Sequence, residues 1–223
     1  MYVESHQGRP HMKLYSFFRS GTSHRLRIVL NLKGLAYEQV AVDLRREQHL
    51  SEAYGLIHPQ HFVPALDVGG TTLIQSPAII EWLEESYPEP PLLPSVPLER
   101  AHVRALAAII GCDIHPVNNR RILEALRHRF GADEVAVNLW CQEWIGAGFD
   151  AYEKLVTSAG TQVDFSFGER PTLADAYLVP QIESARRFKV DMERWPKLLR
   201  IDAACSKLDA FARAAPLAQP DAS

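Results

Sequence analysis

Five consecutive residues, Arg19-Ser20-Gly21-Thr22-Ser23, place a cation, three hydroxyls and a glycine directly before the helical apolar pattern Leu26, Ile28, Val29, Leu30 and Leu32. A helix start presents unpaired N–H groups and the positive end of the helix dipole. Hydroxyls at that point can hold an anion or lower the pKa of a thiol docked there. Plain helix capping is the competing use of the same residues, and Ser23 is the expected N-cap. Gln75-Ser76-Pro77 is a second helix start, with Ser76 as expected N-cap and Pro77 in the first turn, and it suits a carboxylate. Arg19, Arg120-Arg121 and Arg186-Arg187 supply guanidinium forks that match carboxylates, although solvated basic surface or last-turn dipole complement would also explain the four helical arginines. His115, Asn119 and Ile122 are spaced i, i+4, i+7, so one helical face would carry them, and the two polar members could polarise a carbonyl or relay a proton.

Other chemistries lack their signatures. The nine histidines show no HExxH spacing and the three cysteines no CxxC, so no metal is expected, and neither a P-loop nor a GxGxxG occurs. A formal net charge of -3 gives no basic excess for nucleic acid or an anionic membrane. The apolar runs are too short to span a bilayer, and nothing at the N-terminus resembles a signal peptide. Cys112, Cys141 and Cys205 are odd in number and widely spaced, which fits free thiols in a reducing, cytoplasmic setting. All three fall on expected helices, where buried packing is the ordinary role of a free cysteine.

The elements that must position these groups alternate early and then become uniform. A strand at Lys13–Phe18, a helix ended by Gly34, a strand at Tyr37–Val42 and a polar irregular stretch come first. A hairpin over Ala65–Val68, Gly69-Gly70 and Thr72–Ile74 follows, and then a helix from Ser76 to Tyr87. This is the thioredoxin order. Pro88, Pro90, Pro91, Pro94 and Pro97 exclude helix or central strand and read as a linker. Beyond it only helical spacing appears, over 98–114, 119–130, 132–158, 173–189 and 201–214, with Thr172–Asp175 as a capping box. The expected organisation is an α/β thioredoxin-like domain over 12–88, a linker over 89–97 and an all-α domain over 98–213. Residues 1–11 read as a disordered extension or cloning remnant and 214–223 as a frayed tail.

This arrangement resembles the glutathione transferases. The resemblance becomes specific at Phe18-Arg19-Ser20-Gly21-Thr22-Ser23-His24-Arg25-Leu26-Arg27-Ile28, which is similar to the zeta-class motif F-R-S-S-C-S-W-R-V-R-I. It continues through Val63-Pro64, Gln75–Leu83 and Asp113-Ile114-His115-Pro116 with Asn118-Asn119, from Met12 to about Phe211. Arg19–His24 and Asn118–Glu124 are similar to a bacterial branch of that class that works in the gentisate route of aromatic degradation.

The resemblance implies an enzyme with glutathione as cofactor and a small di-acid as substrate. The thiolate adds to a cis double bond, the bond rotates, and the thiol leaves. Ser20 and Thr22 are then alternative partners of the thiolate, and Arg19 the nearest substrate cation. Gly21 and Thr22 replace the family's second Ser and its Cys, which removes the route to a mixed disulfide. Val63 would pair with the cysteinyl backbone, with Pro64 cis; Gln75 and Ser76 would take the γ-glutamyl end and His49 the glycyl carboxylate. Arg121 and Arg187 are favoured as substrate contacts over Arg120 and Arg186, with His115 and Asn119 beside them. A homodimer is implied, with Asp113 reaching the other subunit's γ-glutamyl amine. The same isomerisation of a longer di-acid, maleylacetoacetate, is the nearest competing expectation, followed by a general transferase or haloacid dehalogenase and by a non-catalytic scaffold.

Overall fold

A computed structural model describes residues 10–158 and 164–222, the side chains of 157 and 158 excepted. Strands β1 (Met12–Ser16), β2 (Glu38–Ala41), β3 (Ala65–Val68) and β4 (Thr71–Ile74) form one sheet in the order β2-β1-β3-β4. β2 runs parallel to β1, and β3 and β4 are antiparallel. The parallel pair is joined by a crossover through helix α1 (Gly21–Leu32), and the β3–β4 hairpin turns on two glycines with positive φ. Helices α2 (Glu52–Ile57) and α3 (Ser76–Ser86) complete this half. The stretch between β2 and β3, expected to be irregular, contains α2 capped by Ser51, whose hydroxyl accepts from the Tyr54 N–H at 3.2 Å.

The remainder is helical: α4 (Pro97–Ala108), a π-helical stretch Ile109–Ile114, α5 (Arg120–Phe130), α6 (Glu134–Ser158), α7 (Leu173–Arg187), α8 (Pro196–Cys205) and α9 (Asp209–Ala214). The capping box forms at Thr172, where buried Asp175 accepts from the Thr172 N–H at 2.7 Å. The same carboxylate accepts from the Ser166 N–H at 2.7 Å and so pins the segment before α7. α1 packs against α7 and α9, so one continuous core runs from Leu14 and Leu26 to Ile182 and Phe211. The proline-rich connection is held from both sides. Buried Lys33 pairs with Glu84 at 2.7 Å, Glu84 accepts from the Leu92 N–H, and the Leu92 carbonyl accepts from the Leu173 N–H at 2.9 Å.

Three sequence expectations need correction here. The N-cap of α1 is Ser20, whose side chain accepts from the Ser23 N–H at 3.3 Å, so Ser23 lies inside the first turn. The N-cap of α3 is Gln75 and Ser76 is the first helical residue; Gln75 at φ 67° turns the chain sharply out of β4. The described part of the tail does not fray: Pro216–Ala218 form a 3-10 turn and Asp221 bonds back onto the sheet half. Of residues 1–11, 1–9 lie outside the described residues, and the His11 carbonyl accepts from the Gly69 N–H at 3.2 Å.

Candidate active site

The Arg19–Ser23 run leads from β1 into α1. Its first turn carries no acidic residue, so nothing in the helix itself occupies the positive end. Position alone leaves the Gly21 and Thr22 N–H groups without helical acceptors. Thr22 Oγ1 donates to the Val63 carbonyl at 2.9 Å and lies 3.0 Å from Ser20 Oγ. A hydroxyl owns one proton. With the Thr22 proton on Val63, the Ser20 proton points at Thr22 and can turn to an incoming acceptor. Ser20 thus has the uncommitted proton, whereas Thr22 ties the helix start to the Val63-Pro64 step, which is a cis peptide.

That step is fixed by its surroundings. The Tyr54 hydroxyl donates to the Phe62 carbonyl at 2.7 Å, and the His61 ring contacts the His49 carbonyl at 2.6 Å. Buried Ser76 accepts from Arg25 Nη1 at 3.3 Å, and the exposed Gln75 amide bonds to Gln60. Arg25 is 3% exposed and stacks 3.5 Å from the Tyr177 ring centroid, and it has no carboxylate within 4 Å among the described residues. Burial lowers its pKa, and Tyr177 opposes that shift. The zeta-class motif contains Arg25 but gives it no role. The signal available was the R-x-R of α1, an unusual pattern on a face that must pack.

The helical half supplies more cations. Arg187 lies exposed at the end of α7, but the protein around its guanidinium desolvates it and Arg19 repels it, so its pKa falls. The two guanidinium groups are thus near enough to repel each other. Among the described residues neither makes an ion pair within 4 Å; Arg187 donates to Ser184 Oγ at 3.0 Å, and the Glu183 charge partly offsets the fall in its pKa. Arg186 is committed to Asp202 at 2.6 Å and faces elsewhere. His115 is desolvated and lies near Arg25 and Arg187, which together hold its pKa at about 3. It is therefore a neutral hydrogen-bonding group at physiological pH, not a cation.

The expected shared face of His115, Asn119 and Ile122 does not exist. The π-helical stretch ends at Ile114, the chain turns through 115–118, and Asn119 has extended backbone as N-cap of α5. The Asn119 side chain accepts from the Arg121 N–H at 3.1 Å. The π stretch arises where neighbours pass closely: a Cβ on Gly111 would meet the Tyr177 ring at 2.9 Å, and one on Gly148 would collide with Ile114. Arg121 lies 5.1 Å from the Phe62 ring, next to Val63. Arg120 instead bonds the Leu44 carbonyl. Half-buried His49 is near it, and burial and then the Arg120 charge lower the His49 pKa. Asp113 is exposed, as is Cys112, contrary to the expectation of a packed thiol. Cys141 and Cys205 are buried, and burial pushes the Cys141 thiol up to about 12. No group of His, Cys, Asp or Glu among the described residues could hold a metal, and no described helix is long and apolar enough to cross a membrane.

A four-stranded thioredoxin-like sheet joined to a helical half defines the glutathione transferase architecture. The family model "Glutathione S-transferase, N-terminal domain" matches residues 14–91. The chain belongs to the glutathione S-transferase family, in its zeta class. It is 65% identical to maleylpyruvate isomerase of Ralstonia sp, over 94% of this chain and 99% of that protein. A holo structure of maleylpyruvate isomerase, described as a bacterial zeta-class glutathione S-transferase, superposes with a TM-score of 0.93 at 64% identity, covering 95% of this chain and all of that one. Maleylacetoacetate isomerase from Anaeromyxobacter dehalogenans 2CP-1, solved with glutathione bound in its active site, superposes with a TM-score of 0.86 at 42% identity, over 97% and 100% of the two chains.

Proposed function

We propose that this protein is a glutathione-dependent cis–trans isomerase that converts maleylpyruvate to fumarylpyruvate in gentisate degradation. The observation that carries the reading is the pair Arg19 and Arg187, neither in an ion pair within 4 Å among the described residues and each repelling the other, with a helix start that carries Ser20 and no protein thiol. The high identity to a maleylpyruvate isomerase supports the choice of substrate.

The residues fit glutathione. Buried Ser76 at the start of α3, its hydroxyl held by Arg25, suits the γ-glutamyl carboxylate, with Gln75 beside it. The Val63-Pro64 step offers backbone to the cysteinyl unit, and His49 suits the glycyl carboxylate. Bound glutathione supplies a thiolate that adds reversibly to the cis double bond, so that the bond can turn before the thiol departs. Ser20 donates its mobile proton to the sulfur and, with the α1 N–H groups, keeps it ionised. Thr22 positions that helix start through Val63. Arg19 and Arg187 hold substrate carboxylate and offset charge developing on its carbonyl oxygen. Arg121, His115 and Asn119 line the far side. His115 serves as a neutral donor, and Asn119, whose Oδ1 accepts from the Arg121 N–H, offers its two side-chain N–H groups. Asp113 is free to meet a second copy, which suits a homodimer; light scattering at micromolar concentration tests that state. Free thiols suit a cytoplasmic setting.

A spectrophotometric assay with maleylpyruvate, with and without catalytic glutathione, tests the function. Turnover should require glutathione and leave it unconsumed. Consumption of one glutathione per turnover would make the protein a transferase, and faster turnover of maleylacetoacetate or dichloroacetate would transfer the assignment to those substrates.

A further inference from the structure

The segment Phe17–Ser20 is held from a direction that the site chemistry does not use. The Phe18 N–H donates to Asp221 Oδ2 at 2.9 Å, and the Phe18 carbonyl accepts from Arg27 Nη2 at 2.9 Å. Both polar groups of the residue before Arg19 are therefore tied down, and the Ser20 N–H closes a turn on the Phe17 carbonyl at 3.0 Å. Arg27 is fully buried and divides its other donors between Ser16 Oγ, at 3.0 Å, and the Ala214 carbonyl at the end of α9, also at 3.0 Å. Asp221 is steadied by Gln39 Nε2 at 3.0 Å. Gln219 shapes the approach by donating to the Arg213 and Ala215 carbonyls at 2.7 and 2.8 Å, and Ala222 packs on the apolar cluster of Phe17, Phe18, Val42, Tyr54 and Val63.

We infer that the C-terminal strap, through Asp221 with Arg27 as its buried anchor, is a positioning device for the Arg19–Ser20 turn. Rotating the peptide that aims Arg19 and Ser20 breaks a charge-assisted hydrogen bond at the Phe18 carbonyl or the Phe18 N–H. Arg27 lies on α1, which packs against both α9 and α7, so the tie joins the turn to the helical half that carries Arg187. The inference rests on the reading of Ser20 and Arg19 given above.

Asp221→Ala and Asp221→Asn separate this role from general stability. The alanine variant should exchange the amides of residues 17–20 faster, lower kcat about tenfold and leave the glutathione KM within about twofold. The pKa of the bound thiol should rise by about one unit. The asparagine variant keeps an acceptor oxygen for the Phe18 N–H and should recover most of both. Asp209→Ala, which breaks only the exposed 2.7 Å pair with Arg213, should change neither. If Asp221→Ala does not fold, Gln39→Ala should show the same changes in smaller measure. Unchanged exchange at 17–20, an unchanged thiol titration, or equal losses in the alanine and asparagine variants would overturn the inference. If the wild type does not turn over maleylpyruvate, the functional reading falls, while the exchange and thiol titrations still decide the strap.

Discussion

Ser20→Ala should separate thiol activation from every other role of the α1 start. Two bonds of different worth are lost. As N-cap, Ser20 accepts from the Ser23 N–H at 3.3 Å, and its removal costs about 1 kcal/mol of stability. As donor to a thiolate it makes a hydrogen bond to a charged group, worth about 1.5–3 kcal/mol. At 1.36 kcal/mol per pKa unit, that loss raises the bound thiol by about 1–2 units. Turnover at neutral pH should then fall roughly ten- to hundredfold and climb with pH until the new pKa is passed. Thr22→Ala loses a neutral bond to the Val63 carbonyl, at 2.9 Å, worth about 0.5–1.5 kcal/mol of local order. Its proton never reaches the sulfur, so the thiol pKa should move by less than about half a unit. The assay is the ultraviolet thiolate absorbance of the glutathione-saturated protein, titrated with pH alongside turnover. A normal titration in Ser20→Ala with a displaced one in Thr22→Ala would refute the proton count and reverse the two roles.

Other perturbations should read out separately. Arg19→Ala and Arg187→Ala should each lower kcat/KM for the di-acid about ten- to hundredfold, with glutathione KM nearly unchanged and no rescue at high pH, because bulk base cannot replace a cation. Burial, and then the charge of Arg27, hold the pKa of His24 at about 3, so in the folded chain it stays neutral while the unfolded chain takes up its proton below about 6.5. Stability from this residue is complete above that value and should fall by up to about 1.4 kcal/mol per pH unit as pH drops toward 3; urea unfolding of wild type and His24→Gln at pH 7 and pH 5 should show a shallower loss in the variant. A triple Cys→Ala protein at 112, 141 and 205 should keep its turnover once folded. Loss of activity in the folded triple variant would implicate a protein thiol.

The sequence by itself determined the elements and proposed the groups for the site. Gly69-Gly70 between alternating strands, Gly34 after α1 and the Thr172–Asp175 box are local signals, because turn and cap geometry depend on residues only a few positions apart. The zeta-class motif named Arg19, Ser20 and Val63-Pro64 for the same reason: each occupies a fixed place within its own short element. What the tertiary structure decided is how protons, charges and faces are shared between distant segments. Ser20 and Thr22 differ only because Val63, 41 residues away, accepts one of their two protons. Arg186 and Arg187 are neighbours in sequence, but Asp202 pairs with one and the Arg19 charge repels the other. The helical spacing of His115 and Asn119 was misleading because tight packing at Gly111 and Gly148 accompanies a π turn and the chain then breaks before Asn119. The roles of Arg25, Arg27 and Asp221 could not be read from the sequence for a common reason: each acts on a partner brought near only by folding, Tyr177 and Ser76 for the first and the Phe18 peptide for the other two.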